Sequence, residues 1–263
     1  MSDRGEHHSV KRLVVVMPAW NEAKGLPGFI NELSDELRDW LPMFWIVDDF
    51  SSDGTSEVLQ SLSQSGLRVQ WFTNMSNLGH GPSTVTALNL GVRSGAEFVL
   101  AVDGDGQFIG QDIRRVIEIL ESTMVDVVEG VRTSRNDPAY RRFVSLCTRL
   151  LVASRVHRFP ADANTPLRAY RASTLARILG VLPADSATPN LIISALSRRW
   201  SDVMIHEEPV RSISRRGGTT QSVTWGKSLK RLPSKRFVFF LFRATLDWAT
   251  VHIPNRSKFE NDD

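Results

Sequence analysis

The segment Asp103-Gly104-Asp105-Gly106-Gln107 places two carboxylates and a carboxamide at alternate positions of a chain loosened by glycines. Oxygen atoms of this kind are the ligands that Mg²⁺ and Mn²⁺ prefer, and diphosphate oxygens would complete the coordination shell. A metal ion held there would neutralise a diphosphate leaving group. Taken alone, the segment is equally consistent with an acidic β-turn, so a metal site at Asp103, Asp105 and Gln107 depends on the motifs that accompany it.

Two further polar clusters contain residues that suit a nucleotide. The pair Asp48-Asp49 ends an apolar run, where one of the two carboxylates is well placed to accept hydrogen bonds from a base or from ribose hydroxyls. Pro18, Trp20 and Glu22 follow another run, so that Trp20 can flank a base and Glu22 can accept its polar hydrogens. The alternatives are a turn for the first cluster and a loop with a helix cap for the second.

The elements that must position these residues are short apolar runs separated by stretches with helical spacing. The runs are Leu13–Met17, Phe44–Val47, Val69–Phe72, Phe98–Val102 and Val125–Val128. Their alternation with helices predicts an α/β fold with a mostly parallel sheet covered by helices on both faces. Ligands of such sheets bind beyond the carboxyl ends of the strands, which is where the polar clusters lie.

Four motifs occur in the order found in family-2 glycosyltransferases. They read P-A-W-N-E at 18–22, V-D-D-F-S-S-D-G-T at 47–55, N-L-G-H-G at 77–81 and D-G-D-G-Q at 103–107. The chain resembles this family from about Arg12 to Gln221, and most of all its polyprenyl- (dolichyl-)phosphate mannosyl- or glucosyltransferases. The resemblance implies the Rossmann-like GT-A fold and a nucleoside-diphosphate sugar as donor.

The resemblance also assigns roles to single residues. It implies that Asp103, Asp105 and Gln107 bind Mg²⁺ or Mn²⁺ and the donor diphosphate, with Asp105 catalytic, and that the donor is further bound by Pro18, Trp20, Glu22, Asp49, Asn77, Gly79 and Gly81. Arg215 resembles a catalytic arginine on a mobile loop that reaches the diphosphate, and Arg216 is the rival for this role. Trp20 and Phe108 depart from the usual pattern, as does the segment Asn164–Arg168.

The acceptor is predicted from a missing carboxylate. Family-2 enzymes that glycosylate a hydroxyl normally have an acidic pair as general base at the start of a helix in the second half of the domain. No Asp or Glu occurs between Asp185 and Asp202. An acceptor that is already an anion, such as a polyprenyl phosphate, needs no base, so a lipid phosphate is the expected acceptor.

Cations suited to that phosphate follow the fifth apolar run. By resemblance to polyprenyl-phosphate transferases, Arg132, Arg141 and Ser145 would bind it, although a solvated basic helix is the alternative. Two other functions stay open. One is transfer to a hydroxyl on a protein, polysaccharide or small molecule, with Asp162 or Asp185 as base, and the other is an inactive nucleotide-sugar-binding module.

The whole chain fits a globular protein of the cytoplasm. Its formal charge of +3 is too small to argue for nucleic acid, and a single cysteine, Cys147, excludes an internal disulfide. We find neither an apolar signal segment nor a run of about 20 apolar residues, so a peripheral position at the cytoplasmic face of a membrane is expected. The sequence leaves the oligomeric state open.

The predicted organisation has four parts: a disordered N-terminus at 1–10, a GT-A domain at 11–221, a basic and amphipathic helical extension at 222–255, and a polar tail at 256–263. In the extension, a basic stretch precedes Phe237–Ile253, whose apolar face includes Trp248 and Val251. This pattern is typical of a helix lying in a membrane surface, and packing of that face on the domain is the alternative.

Overall fold

The computed structural model describes residues 13–133, 139–156, 159–218 and 245–251, with the backbone alone for 139–145. The strands are β1 Leu13–Ala19, β2 Met43–Asp48, β3 Val69–Thr73, β4 Phe98–Ala101, β5 Val127–Arg132, β6 Arg168–Arg171 and β7 Ile205–Val210. The helices are α1 Leu26–Glu36, α2 Thr55–Gln64, α3 His80–Arg93, α4 Gly110–Ser122, α5 Ala139–Val156, α6 Ala172–Leu179 and α7 Pro189–Arg199, with a short 3₁₀ helix at Arg38–Trp40.

The seven strands form one sheet in the order β3-β2-β1-β4-β6-β5-β7. Only β6 is antiparallel to its neighbours, so the predicted mostly parallel sheet is confirmed. The first three apolar runs lie within β1, β2 and β3, and the other two overlap β4 and β5. The sheet is completed by β6 and β7. Because β1, β2 and β4 are parallel neighbours, the loops that follow them meet at one edge of the sheet.

Helices cover both faces of the sheet, which explains why the central strands are almost uninterrupted apolar runs. In β1, Val15 and Met17 belong to one core cluster while Val14 and Val16 belong to the other. The first cluster packs β1 against α1 and α4, and the second packs it against α3, α6 and α7. The strand ends that bear the polar motifs are therefore fixed from both sides.

Residues 245–250 are helical and pack on the domain. Trp248 is only 8% exposed and lies with Val251 in the second core cluster. The Arg155 guanidinium lies 4.7 Å from the centroid of the Trp248 ring and donates a hydrogen bond to the Val251 carbonyl. The prediction that these two apolar residues face a membrane is thus wrong, and the rest of that predicted face lies outside the described residues.

Within the part of the chain that the structure describes, no helix is both long and apolar enough to cross a bilayer.

A buried ion-pair network fixes the second half of the sheet. Glu129, at 0% exposure, accepts from Arg198 at 2.6 Å and lies 3.2 Å from Nε of Arg168. Arg168 also donates to the carbonyls of Asn190 and Ala163. This network ties β5, which carries the predicted acceptor residue Arg132, to the start of α7 and to the loop before β6.

Replacement of Glu129 by alanine should strongly destabilise the fold, because it leaves the buried Arg168 without a carboxylate partner and Arg198 with Glu207 alone. We expect the free energy of unfolding, measured with denaturant, to fall by about 3–5 kcal/mol. Glu118→Ala is the control, since Glu118 is half-exposed and pairs with Arg114 on the surface. Its loss should cost about 0.5 kcal/mol or less. Similar small losses in both variants would show that the network does not fix the sheet.

Candidate active site

The loop after β4 presents its carboxylates because its glycines allow a close approach to β1. The Gly104 amide donates to the Pro18 carbonyl at 3.1 Å, and a methyl group on Gly104 would lie 3.1 Å from Cβ of Ala19. Gly106 has a φ of +65°, in the left-handed region that favours glycine. Asp105 is largely buried at the resulting turn, and its Oδ1 accepts from the amide of Gln107.

The carboxylates of Glu22, Asp103 and Asp105 interact electrostatically at this edge of the sheet. Burial raises the pKa of Asp105 to about 6, and the charge of Asp103 adds to the effect. Burial also raises the pKa of Glu22 to about 7, against the opposing effect of Arg215, while Asp105 and Asp103 raise it further. Nε2 of His80 lies 3.7 Å from Oδ1 of Asp103. The negative charge of these three carboxylates is therefore not fully compensated by the neighbouring Arg215 and His80.

This donor set fits a divalent cation that is shared with a ligand. Asp103 and Asp105 supply hard oxygen atoms whose mutual repulsion a cation would relieve. Among the described residues there is no group of three or more side chains of His, Cys, Asp and Glu arranged to enclose a metal ion. Further oxygen ligands would therefore have to come from a bound substrate, from water or from Gln107, which is half-exposed beside them.

Arg215 joins the acidic cluster through Glu22. Its guanidinium lies 2.5 Å from one carboxylate oxygen of Glu22 and donates to the other at 3.1 Å. It also donates to the carbonyls of Trp20 and Asn21. The Glu22 side chain, predicted to accept hydrogens from a base, is thus engaged by an arginine here, and Arg215 lies among the residues assigned to the donor.

The segment 211–218, which we call the arginine loop, covers the loop after β4. The Arg216 amide donates to the Asp105 carbonyl at 3.0 Å, and its guanidinium pairs with Glu32 at 2.5 Å. These contacts fasten the arginine loop to the protein. They direct the Arg216 guanidinium toward Glu32 and away from the carboxylates of Asp103 and Asp105. Between the two rivals, the geometry therefore favours Arg215 as the side chain that reaches a bound anion.

Asp49 holds the loop between β3 and α3. Its Oδ1 accepts from the side chain of Asn74 and the amide of Leu78, and its Oδ2 accepts from the amide of Gly79, each at 2.8 Å. The side chain of Asn77 donates to the Asp49 carbonyl at 3.0 Å. Asp49 remains a predicted nucleotide residue, but its carboxylate here positions the loop that would face the nucleotide.

The two glycines of that loop serve different needs. Gly79 has a φ of +92°, which few other residues adopt. At Gly81, a methyl group would lie 2.3 Å from the carbonyl oxygen of Ser186, so a glycine is required for α3 to pack on the chain before α7. Gly81 therefore has a packing role that the predicted approach to a donor did not include.

The residues predicted for the acceptor are only partly described. Arg132 donates to both carboxylate oxygens of Asp162, at 2.8 and 3.2 Å, and Asp162 is 3% exposed. Arg141 and Ser145 lie in α5, but their side chains fall outside the described residues. Their predicted contact with a phosphate therefore stays a prediction.

Two side chains of this region escaped the sequence analysis. His80, the first residue of α3, lies beside Asp103, and its signal in the sequence is the histidine of the motif at 77–81. Asp247 accepts from the hydroxyl of Ser186 and from the amide of Ala187, next to the start of α7. No local pattern reveals this contact, because the partners are 60 residues apart in sequence.

A model of the family described as "Glycosyl transferase family 2" matches residues 14–176. An undecaprenyl-phosphate 4-deoxy-4-formamido-L-arabinose transferase of Serratia proteamaculans is 25% identical over 203 residues, which cover 76% of this chain and 61% of the relative. The chain thus spans about three fifths of the length of the curated relatives it matches.

Solved glycosyltransferases share the fold. A mannosyltransferase from Pyrobaculum calidifontis, in complex with GDP-Man and Mn²⁺, matches with a TM-score of 0.52 and 20% identity over 78% of this chain and 57% of that one. S. aureus TarS, in complex with UDP-GlcNAc, matches with a TM-score of 0.57 and 16% identity over 93% of this chain and 68% of that one. At these identities the likeness concerns the fold.

Asp105→Asn should stabilise the metal-free protein at alkaline pH. A carboxyl whose folded pKa is about 6 contributes stability below its ordinary value of 3.8 and loses it as the pH rises through 6. The asparagine removes the charge, so the thermal midpoint in EDTA should rise by roughly 2–4 °C at pH 8 for each kcal/mol relieved. At pH 4 the variant and the wild type should unfold alike.

Asp112→Asn is the matched control, with the opposite expected sign. Although burial raises it, the pKa of Asp112 is held below its usual range by hydrogen bonds from Arg211. Its charge therefore stabilises the fold above the ordinary pKa, and the variant should have a lower midpoint at pH 8, with a loss that shrinks as the pH falls. A decrease in both variants at pH 8 would contradict the charge balance described for Asp105.

Proposed function

Because the chain belongs to glycosyl transferase family 2, we propose that it transfers a sugar from a nucleoside-diphosphate sugar to a polyprenyl phosphate, assisted by Mg²⁺ or Mn²⁺. The donor class is supported by the solved relatives, one of which holds GDP-Man with Mn²⁺ and another UDP-GlcNAc. The acceptor class is supported by the curated relatives, which are named as undecaprenyl-phosphate transferases.

Asp103, Asp105 and Gln107 would hold the metal ion, which neutralises charge on the departing diphosphate when bound. Arg215 would bind the same diphosphate after leaving Glu22, which is 2.5 Å away. Since the pKa of Glu22 is about 7, this carboxyl can take up a proton once the arginine is gone, so the exchange leaves no buried unpaired charge. The acceptor phosphate would attack the anomeric carbon in line and invert it.

The contacts of the candidate base Asp162 support a phosphate acceptor. Asp162 is buried and holds Arg132 with both oxygens, so its lone pairs point at a guanidinium instead of at a substrate. Asp185, the other candidate base, is exposed in the loop before α7. A lipid phosphate requires neither carboxylate as a base. Because it is an anion, it can take the place of the Asp162 carboxylate as the partner of the Arg132 guanidinium.

The described part of α5 supports a lipid acceptor. Leu146 and Leu150 are one helical turn apart, and both are about half exposed together with Leu151. Phe159 is exposed as well, and the Arg149 guanidinium lies 4.6 Å from its ring centroid. Apolar side chains beside a cation suit the boundary between lipid tails and phosphate headgroups. A GT-A domain at 11–221, with an extension at 222–255, would thus work at the cytoplasmic surface of a membrane.

The decisive experiment screens donors in the presence of Mn²⁺, with and without undecaprenyl phosphate. GDP-mannose, UDP-glucose and UDP-GlcNAc carrying labelled sugars are incubated with the protein, and label extracted into organic solvent is measured. We expect one donor to yield extractable label only with the lipid phosphate. In Asp105→Asn the rate should fall by about 10²-fold or more, because the metal site loses a charge that acts in the transition state. Failure of every donor to react would favour a binding module.

Arg132→Ala should impair use of the acceptor far more than binding of the donor. Removal of a charge-assisted contact with phosphate costs about 1.5–3 kcal/mol, so the KM for the lipid phosphate should rise by roughly 10–100-fold. The affinity for the donor nucleotide, measured by calorimetry, should stay within about twofold. If the affinity for the donor nucleotide fell as much as the KM for the lipid phosphate rose, the assignment of Arg132 to the acceptor would be rejected.

Asp162→Asn and Asp185→Asn distinguish a phosphate acceptor from a hydroxyl acceptor. If the acceptor is a phosphate, both variants should retain turnover within about tenfold of the wild type, since neither carboxylate takes a proton. A general base contributes about 10²–10⁴-fold, so a loss of that size in one variant would identify a hydroxyl acceptor and its base.

A further inference from the structure

Phe50 has a backbone conformation that a large side chain rarely adopts. Its φ is +61°, in the left-handed region, where residues other than Gly, Asn and Asp are strained. The ring is nevertheless 56% exposed, so burial in the protein does not compensate the strain. A glycine or asparagine would fit this position with less strain, so the aromatic ring is not explained by stability and indicates a function.

Hydrogen bonds around Phe50 impose the conformation without using its side chain. The Ser51 amide donates to Oδ1 of Asp48, and Oγ of Ser51 accepts from the Asn21 amide at 2.9 Å. The Ser52 amide donates to Oδ1 of Asn21, also at 2.9 Å. The turn is thus fixed by polar contacts between the loops after β1 and β2, and the ring of Phe50 is free to serve a ligand.

The position of Phe50 fits one half of a nucleotide. Ala19 pairs with Asp48 in the sheet, so the loops bearing Trp20 and Phe50 leave neighbouring strands about 4.8 Å apart. Trp20 is half-exposed, and Met75, in the loop after β3, is 96% exposed. Apolar side chains therefore gather beyond β1, β2 and β3, whereas the carboxylates suited to a metal ion follow β4.

We propose that Phe50 stacks on the nucleobase of the donor and sets the affinity of the site for nucleosides. A nucleoside diphosphate has a flat base at one end and a metal-binding diphosphate at the other. This edge of the sheet likewise has apolar side chains at one end and carboxylates suited to a metal ion at the other. The inference rests on the proposed donor class and adds the residue that recognises its base. Aromatic stacking accepts any base, so base identity is read by other contacts.

The test measures binding of GDP and UDP in the presence of Mn²⁺ by calorimetry, with pyrophosphate as a probe that lacks the nucleoside. Phe50→Gly should weaken binding of the nucleoside diphosphates by about tenfold, or about 1.4 kcal/mol, while the affinity for pyrophosphate stays unchanged. Phe50→Asn, which also suits the left-handed turn, should behave like the glycine variant. Phe50→Tyr keeps a ring and should bind as the wild type does.

Leu41→Gly is a matched control at the opposite end of β2. Leu41 also has a left-handed backbone, with a φ of +46°, and is 55% exposed. It precedes the amino end of β2, whereas Phe50 follows the carboxyl end. Leu41→Gly should leave the binding of GDP and UDP unchanged, and neither glycine variant should have a lower thermal midpoint than the wild type.

The outcomes separate this inference from the proposed function. If the wild type binds neither GDP nor UDP, the donor class is overturned together with the stacking role. If it binds one of them and Phe50→Gly binds equally well, only the stacking role is overturned. An equal loss of pyrophosphate affinity, or a lower midpoint in Phe50→Gly alone, would show that the ring supports the loop itself and would also overturn the inference.

Discussion

The repulsion among Glu22, Asp103 and Asp105 is the constraint on which the rest of this edge depends. Burial, with the repulsion between these carboxylates added to it, raises the pKa values of Asp105 and Glu22 to about 6 and 7, so their charges destabilise the fold. The protein keeps them together because β1 and β4 are neighbouring parallel strands, packed by helices on both faces. A rigid sheet can hold such charges at a fixed separation, and a cation with its diphosphate can then supply the missing compensation.

The arginine loop at 211–218 provides the remaining positive charge, and each of its three arginines has a carboxylate partner. Arg211 pairs with Asp112 and Arg216 with Glu32, outside the acidic cluster. Arg215 alone pairs with a carboxyl whose pKa is raised toward neutrality. Two of the three contacts can therefore keep the loop in place while the third exchanges its partner for an anion, which confines the change to one side chain.

The sequence predicted the strands and the strand-end motifs because both depend on local patterns. Five apolar runs identified five strands, and parallel pairing brought their loops together as expected. Contacts between distant segments were not predictable. The packing of Gly81 on Ser186 and the burial of Trp248 depend on how helices meet in three dimensions. The amphipathic pattern around Trp248 fits a membrane surface or a protein surface equally well, since periodicity shows that a face is buried but not against what.

The two ends of the site share one electrostatic arrangement. Arg215 is paired with Glu22 on the side proposed for the donor, and Arg132 is paired with Asp162 on the side proposed for the acceptor. A partly buried arginine without a partner is costly, so each guanidinium is kept in place by a carboxylate that a substrate anion can replace. Binding of an anion then exchanges one charge pair for another and avoids the cost of desolvating an isolated cation. A neutral hydroxyl acceptor could not replace Asp162 in this way, whereas a phosphate could. The pairing of Arg132 therefore favours an anionic acceptor independently of the missing base at α7.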